Sequence, residues 1–406
     1  MRTNFRITIH ERLEDLSPEW PVGGRPPAPR ARFHAFQTAT FLSAWLNSFG
    51  RSGRQSLQFI EVRDEASLPL IFIPLRILHR GGTRLLQFVD QDAADYNAPI
   101  LFESHMIWSR EVAEDLWRQI VEMLPPFDVV ELIKMPAEVE GLINPLAYLG
   151  DRQSELSCHA TDLRRSWNEI DREVPRRTTL LRKIRGLERV APVGFHLAQT
   201  PDEVRKITNV MLRQKQRRFE ETMVPGFDVD RDKHDFFREG TPLFHREEML
   251  TLFYLTAGET IVATIWGLVA DKRYYAIMLS FEGDEWTKHS PGSILFYKAL
   301  KWLHDKGYEW MDLGIGNEPW KLESCRTMIT LSECSEAVTG RGRFYLARLR
   351  ANAQLRATKA YQKLRPLKWI VLRSLRGRRH MTPADVDTGA SLVCERRRGG
   401  PPPQPT

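Results

Sequence analysis

The stretch MDLGIGNEPWKLES, residues 311–324, crowds reactive side-chain types behind what reads as the end of a buried strand. Met311-Asp312-Leu313 runs into a glycine turn, Gly314-Ile315-Gly316, and Glu318, Trp320 and Lys321 follow at once. A connection with structural duties alone needs the glycines and little else. Glu318 is of a type that takes up protons, and Lys321 of a type that holds developing negative charge.

Three further clusters have spacings that suit binding. In HSPGS, Ser290 fits a helix N-cap and Pro291 the first helical position, and Gly292 lets another group approach the backbone. The free N–H groups and the dipole of such a start form an anion site able to take a pyrophosphate, although the pattern equally suits a well-capped helix. In RQKQRRF, Arg213, Gln214, Arg217 and Arg218 share one helical face. That face is either a cationic pocket for an acidic or phosphorylated glycan or simply a solvated surface. The third cluster is C-terminal. No acidic residue occurs from Ala337 to Ala384, whereas thirteen Lys and Arg do, with Trp369, Ile370, Val371 and Leu372 among them. A basic helix of that kind can lie on anionic lipid, or dock on the domain with its charges outward.

The elements that position these groups can be read from periodicity. The chain has 406 residues, 42% apolar and 27% charged, enough for two ordinary domains. A helical segment, TFLSAWLNSF, precedes three strand-like runs, SLQFIEV, LPLIFIPLRIL and RLLQFVD. A long helix then ends before Pro125-Pro126, and the strand FDVVELIKM follows. The second part repeats this order: basic helices up to residue 221, the strands MLTLFYLTA, TIVATIWGLVA and RYYAIMLSFE, the helix SILFYKALKWLHDKG and the strand YEWMDLG. The repetition is of architecture; no residue repeat accompanies it. GRGRFYLARLR, after residue 339, reads as one more strand. The start of the chain is charged throughout, without the apolar core of a secretion signal. Apolar runs fall well short of a bilayer span. The four cysteines are scattered and no His/Cys spacing suits zinc, so no metal is expected and free thiols fit a reducing cytoplasm. There is no G-x-S-x-G elbow, Walker loop or H-E-x-x-H.

The order of a meander, a helix opening with SPG, a strand reading DLG and then GNEPWK resembles the CelD/BcsL group of GNAT acyltransferases. This group is associated with bacterial cellulose and exopolysaccharide synthesis and is similar to the FemAB peptidoglycan aminoacyltransferases. Asp312, Leu313, Gly314, Gly316, Trp320 and Lys321 match the pattern D-hydrophobic-G-x-G-x-x-x-aromatic-K. Trp320 stands where tyrosine is usual, and Leu322-Glu323 where Trp-Gly is usual. The likeness covers residues 175–335 and extends more faintly over 35–135, where Asp95-Tyr96-Asn97 matches a DYN segment.

The resemblance implies an α/β (α+β) fold of two GNAT-like halves, each a mixed, mostly antiparallel sheet flanked by helices. The expected divisions are 1–165, 175–350, a basic helical tail at 351–380 and a disordered end at 381–406. It implies an acyltransferase using acyl-CoA, above all acetyl-CoA, as co-substrate, with no permanently bound cofactor and a saccharide acceptor. By the same resemblance, Lys321 polarises the acyl carbonyl, Glu318 accepts a proton and Asp312 orients the turn. Ser290, Pro291, Gly292, Ser293 and Gly316 hold the cofactor, and Tyr96, Arg213, Arg217 and Trp320 contact the acceptor. Two alternatives stay open: a FemAB-like transferase taking its donor from charged tRNA, and a catalytically weak scaffold of a polysaccharide assembly. The expected location is the cytoplasm, with peripheral contact to the inner face of the membrane through the tail and no DNA partner.

Overall fold

The computed structural model describes residues 4–26 and 31–357. The expected end at 381–406, and the expected tail beyond residue 357, lie outside the described residues. Two mixed sheets form the frame, one of nine strands and one of seven among the described residues. In the first, Gln55–Arg63, Pro69–Arg80 and Thr83–Phe88 form an antiparallel meander. The helix Arg110–Met123 then leads to the strand Val129–Pro136, which returns parallel to Thr83–Phe88. In the second, Leu250–Ala257, Thr260–Ala270 and Arg273–Phe281 form the meander. The helix Pro291–Asp305 leads to Trp310–Ile315, parallel to Arg273–Phe281. The architecture is therefore duplicated, as two GNAT-like halves.

The expected division near residue 170 is crossed in both directions. Cys158–Asp162 precedes it, yet pairs with Trp310–Ile315 and Thr327–Ile329 in the second sheet. Leu331–Ala337 follows it, yet pairs with Val129–Pro136 in the first. Each half thus completes its sheet with a strand from the other's part of the chain.

One expectation about elements is corrected. GRGRFYLARLR is not a strand but the start of the helix Gly340–Ala357. Thr339 opens it, its Oγ1 accepting from the Gly342 N–H (3.2 Å) and its C=O from the Arg343 N–H (3.0 Å). Arginines among apolar residues imitate a strand's alternation there. A helix at Arg231–Arg246 carries no obvious sequence signal, because Gly240 and Pro242 interrupt it. Asp230 caps it, accepting from the Lys233 N–H at 3.1 Å.

One apolar cluster runs through both halves. The helix Ala39–Leu46 contributes Phe41 and Trp45, Arg231–Arg246 contributes Phe236 and Phe244, and Trp266 and Tyr275 come from the second sheet. Phe41 and Phe236 meet edge to face with ring centroids 5.4 Å apart. Each such buried aromatic contributes roughly 1.5–3 kcal/mol relative to exposure.

Candidate active site

The parallel pairing in the second sheet lasts three residues: Arg273 with Trp310, Tyr274 with Met311, and Tyr275 with Asp312. Beyond it the two strands diverge. Ala276–Phe281 stays with Thr260–Ala270, while Ile315 pairs with Cys158 on the other side. Two bulges drive the divergence. Ile277 is skipped between the pairs Gly267–Ala276 and Trp266–Met278. Leu313-Gly314 faces a single residue, His159, between the pairs Asp312–Ala160 and Ile315–Cys158. Bulges bend a strand and re-aim its backbone groups. Gly314 has φ +67°, which glycine adopts freely, and a Cβ there would run into the Asp95 carboxylate. Gly316, at φ +131°, has the Glu318 carboxylate against its Cα. The glycines thus let two carboxylates close on the backbone at the mouth of a splayed strand pair.

Lys321 and Glu318 meet at that mouth. Glu318 is the N-cap residue of the short helix Pro319–Ser324, and Lys321 lies one turn in. The largely buried Lys321 donates from Nζ to the Ile315 C=O at 2.7 Å and lies 3.4 Å from Glu318 Oε2. Glu318 Oε2 is itself buried and accepts no hydrogen bond. Asp95, from the first half, accepts from the Ile315 N–H at 3.2 Å, so both backbone groups of Ile315 are held by side chains. Burial pushes the Asp95 carboxyl up from its ordinary value, Lys321 pulls it back, and Asp312 adds to the rise. Asn317 fixes the loop: its Oδ1 lies 3.1 Å from His159 Nε2, and its Nδ2 donates to the Glu155 C=O at 3.0 Å.

Asp312 and Tyr96 hold the halves together. Both are fully buried; the Tyr96 hydroxyl donates to Asp312 Oδ2 at 2.8 Å, and Arg273 Nη1 donates to the same oxygen at 3.0 Å. Arg273 also donates to Glu140 at 2.6 Å, and the Gly314 N–H donates to Asp312 Oδ1 at 2.8 Å. Asp312 is therefore bonded to the turn from inside the core. Tyr96, expected at the acceptor, is fully buried beside it.

At the start of the helix Pro291–Asp305, Ser290 meets a lysine from outside the motif. Ser290 is the N-cap residue but makes no side-chain cap bond: its φ is +53°, and its Oγ accepts from Lys183 Nζ at 2.7 Å. Lys183 also donates to the Lys288 C=O at 2.9 Å, which brings a cation to the helix start that the motif does not contain. Gly292 is buried against the Phe281 ring, so its small size serves that contact. Ser293 is exposed on the first turn.

Among the expected acceptor residues, Trp320 is 42% exposed and packs edge to face on Phe296 (6.4 Å). Arg213 is exposed. Arg217 is tied to the Phe281 C=O (2.7 Å), Glu221 (3.1 Å) and Glu282, so its guanidinium serves the strand end. Lys215, beside them, was not singled out by its spacing. Burial lowers its pKa to about 8, Lys233 and Lys321 adding to the fall and Glu318 opposing it. An open groove of about 570 Å³ lies elsewhere, lined by His196, Glu203 and Tyr254. Glu203 and Tyr254 are bonded to each other there, and His196 Nε2 lies 3.1 Å from Thr256 Oγ1.

Comparison with curated proteins finds no match. Among solved structures the fold is similar to that of FemX, with a TM-score of 0.54 at 10% identity over 78% of this chain and 94% of that one. It is also similar to L-PGS from Bacillus licheniformis, with a TM-score of 0.43 at 13% identity over 72% and 90%. A tandem GNAT protein from the clavulanic acid biosynthesis pathway gives 0.43 at 10% identity over 83% of this chain and 99% of that one. Residues 175–322, which contain the splayed strands, Glu318 and Lys321, match the family model described as Acetyltransferase (GNAT) domain, so the chain carries a GNAT acyltransferase domain.

Proposed function

We propose that this protein transfers an acetyl group from acetyl-CoA to an amine or hydroxyl of a sugar or polysaccharide precursor, as the resemblance to the cellulose- and exopolysaccharide-associated group implies. The observation that carries the reading is the strand splay beyond Tyr275 and Asp312 with Glu318 and Lys321 at its mouth. The thioester enters between the diverging strands. The pyrophosphate lies at the start of the helix Pro291–Asp305, beside Lys183, where helix dipole and cation favour negative charge. The acceptor attacks the carbonyl carbon, the Lys321 ammonium holds the charge that develops on oxygen, and Glu318 Oε2, which accepts no hydrogen bond, takes the acceptor's proton. The C–S bond breaks and the CoA thiolate leaves. No covalent enzyme intermediate is required.

Calorimetric titration of the full chain with acetyl-CoA tests the donor, and thiol release tests the chemistry. Lys321→Ala and Glu318→Gln are each expected to lower turnover by roughly a hundredfold. Absence of binding at millimolar acetyl-CoA, or undiminished turnover in Lys321→Ala, sinks the reading. An aminoacyl-tRNA donor is the competing reading, favoured by the cations on the helices Arg177–Glu188 and Pro201–Glu221. Displacement of acetyl-CoA by tRNA would decide for it. We further propose that the basic segment beyond Ala357 gives affinity for an anionic membrane surface. No described helix is long and apolar enough to cross a membrane. Liposome flotation of the full chain and of a chain ending at Ala357 tests this; equal flotation excludes it.

A further inference from the structure

The first half has the same parallel pair, of the same length: Leu85 with Val129, Leu86 with Val130 and Gln87 with Glu131. Its mouth, however, is filled by its own chain. Past that pair, the strand Val129–Pro136 makes a bulge opposite Ser332–Cys334, and Lys134 in it has φ +61°. A left-handed residue at a bulge is ordinarily glycine, as Gly314 is in the second half, because any Cβ there costs about 1 kcal/mol or more. A lysine held in that conformation points to a need for its side chain. The Lys134 ammonium is buried and donates to Asp90 Oδ2 at 2.8 Å and to the Ala94 C=O at 3.0 Å, with Asp92 3.4 Å away. The same Asp90 carboxylate accepts from Asn97 Nδ2 (3.0 Å) and from the Ala94 N–H (3.1 Å). The Asn97 N–H donates back to the Lys134 C=O at 3.0 Å.

Segment 90–97 is thereby closed into a loop around one buried ion pair. Within the segment, Asp95 and Tyr96 bond away from that pair. They reach the other half, where Asp95 holds the Ile315 N–H and Tyr96 holds Asp312.

We propose that Lys134 is a positioning residue for the transfer site of the second half, and that the first half, its own splay closed by this ion pair, takes no acyl donor. Lys134 acts through Asp90 on the loop, and through Asp95 and Tyr96 on the strand end that presents Glu318 and Lys321. This rests on the reading of that strand end as the transfer site; the contacts themselves do not depend on it.

The test is hydrogen exchange of the full chain, followed at the Ile315 amide, in Lys134→Gly and Lys134→Met. Glycine relieves the backbone strain and methionine retains the bulk; neither supplies the ammonium. Both variants are expected to speed exchange at Ile315 at least tenfold, while the amides of Thr260–Ala270 stay as protected as in the parent. Unchanged exchange at Ile315 in Lys134→Gly overturns the proposal, since the lysine would then serve the backbone alone. Should either variant unfold, Asn97→Ala loosens the same loop without stranding the Asp90 charge, and unchanged exchange at Ile315 there also overturns it. Calorimetry with acetyl-CoA is expected to give one site per chain, and two sites overturn the closed-splay claim. Absence of heat counts against the acyl-CoA reading, and the exchange result still decides the role of Lys134.

Discussion

Gly314 joins three demands at one residue: a positive φ, a bulge, and a carboxylate against its Cα. Gly314→Ala meets the Asp95 side chain and the left-handed penalty together. The expected cost is on the order of 1–3 kcal/mol in urea unfolding. A variant as stable as the parent would show that the contact with Asp95 is not tight. Lys215 gives a residue-scale prediction of opposite sign. Burial lowers its pKa to about 8 from an ordinary 10.5, so the folded chain releases this proton before the unfolded chain does. Between those values the unfolded state binds more protons, and stability therefore rises with pH across that window. Below it, the charged ammonium is a burden on the folded state. Lys215→Met is expected to be more stable than the parent near neutral pH and to lose this part of the pH slope. Parallel stability curves for the two chains between pH 7 and 10 would refute it.

At the scale of elements, the exchanged strands matter most. Cys158–Asp162 is bonded on both sides, to Trp310–Ile315 and to Thr327–Ile329. A fragment spanning residues 175–350 lacks it, leaving the strand that carries Asp312 with an unpaired edge and Thr327–Ile329 with no neighbour. Such edges aggregate. That fragment is expected to be insoluble or to melt without a cooperative transition in circular dichroism. One spanning residues 155–329 regains the strand and is expected to retain more structure. Cooperative unfolding of the 175–350 fragment would show that the borrowed strand is dispensable.

For the whole molecule, the shared core implies that the halves unfold together. Phe236 is buried against Phe41 of the first half and Phe244 of its own helix. Phe236→Ala is expected to cost about 3–5 kcal/mol. Differential scanning calorimetry should show one transition moved to lower temperature. Two separated transitions would mean that the cluster does not couple the halves. The buried Tyr96, Asp312 and Arg273, with the half-buried Glu140, add charge-assisted bonds across the same join.

Periodicity and turn chemistry in the sequence by themselves determined the two meanders, the helix and returning strand of each half, and the glycine-marked strand end with Glu318 and Lys321 behind it. These are local signals: alternation over a few residues, a proline stop, a residue type that only a special backbone angle requires. The tertiary structure alone decided what depends on distant pairing. The strands Cys158–Asp162 and Leu331–Ala337 carry no mark of which sheet receives them, because backbone hydrogen bonding is indifferent to sequence distance. Asp95 and Lys183 stand far along the chain from Ile315 and Ser290, and nothing in their own neighbourhoods announces the contact. The full burial of Tyr96 is set by what the other half places over it, which its own neighbourhood in the chain does not announce. Lys134 looks like an ordinary polar position in a strand, and only its backbone angle and its buried partners distinguish it.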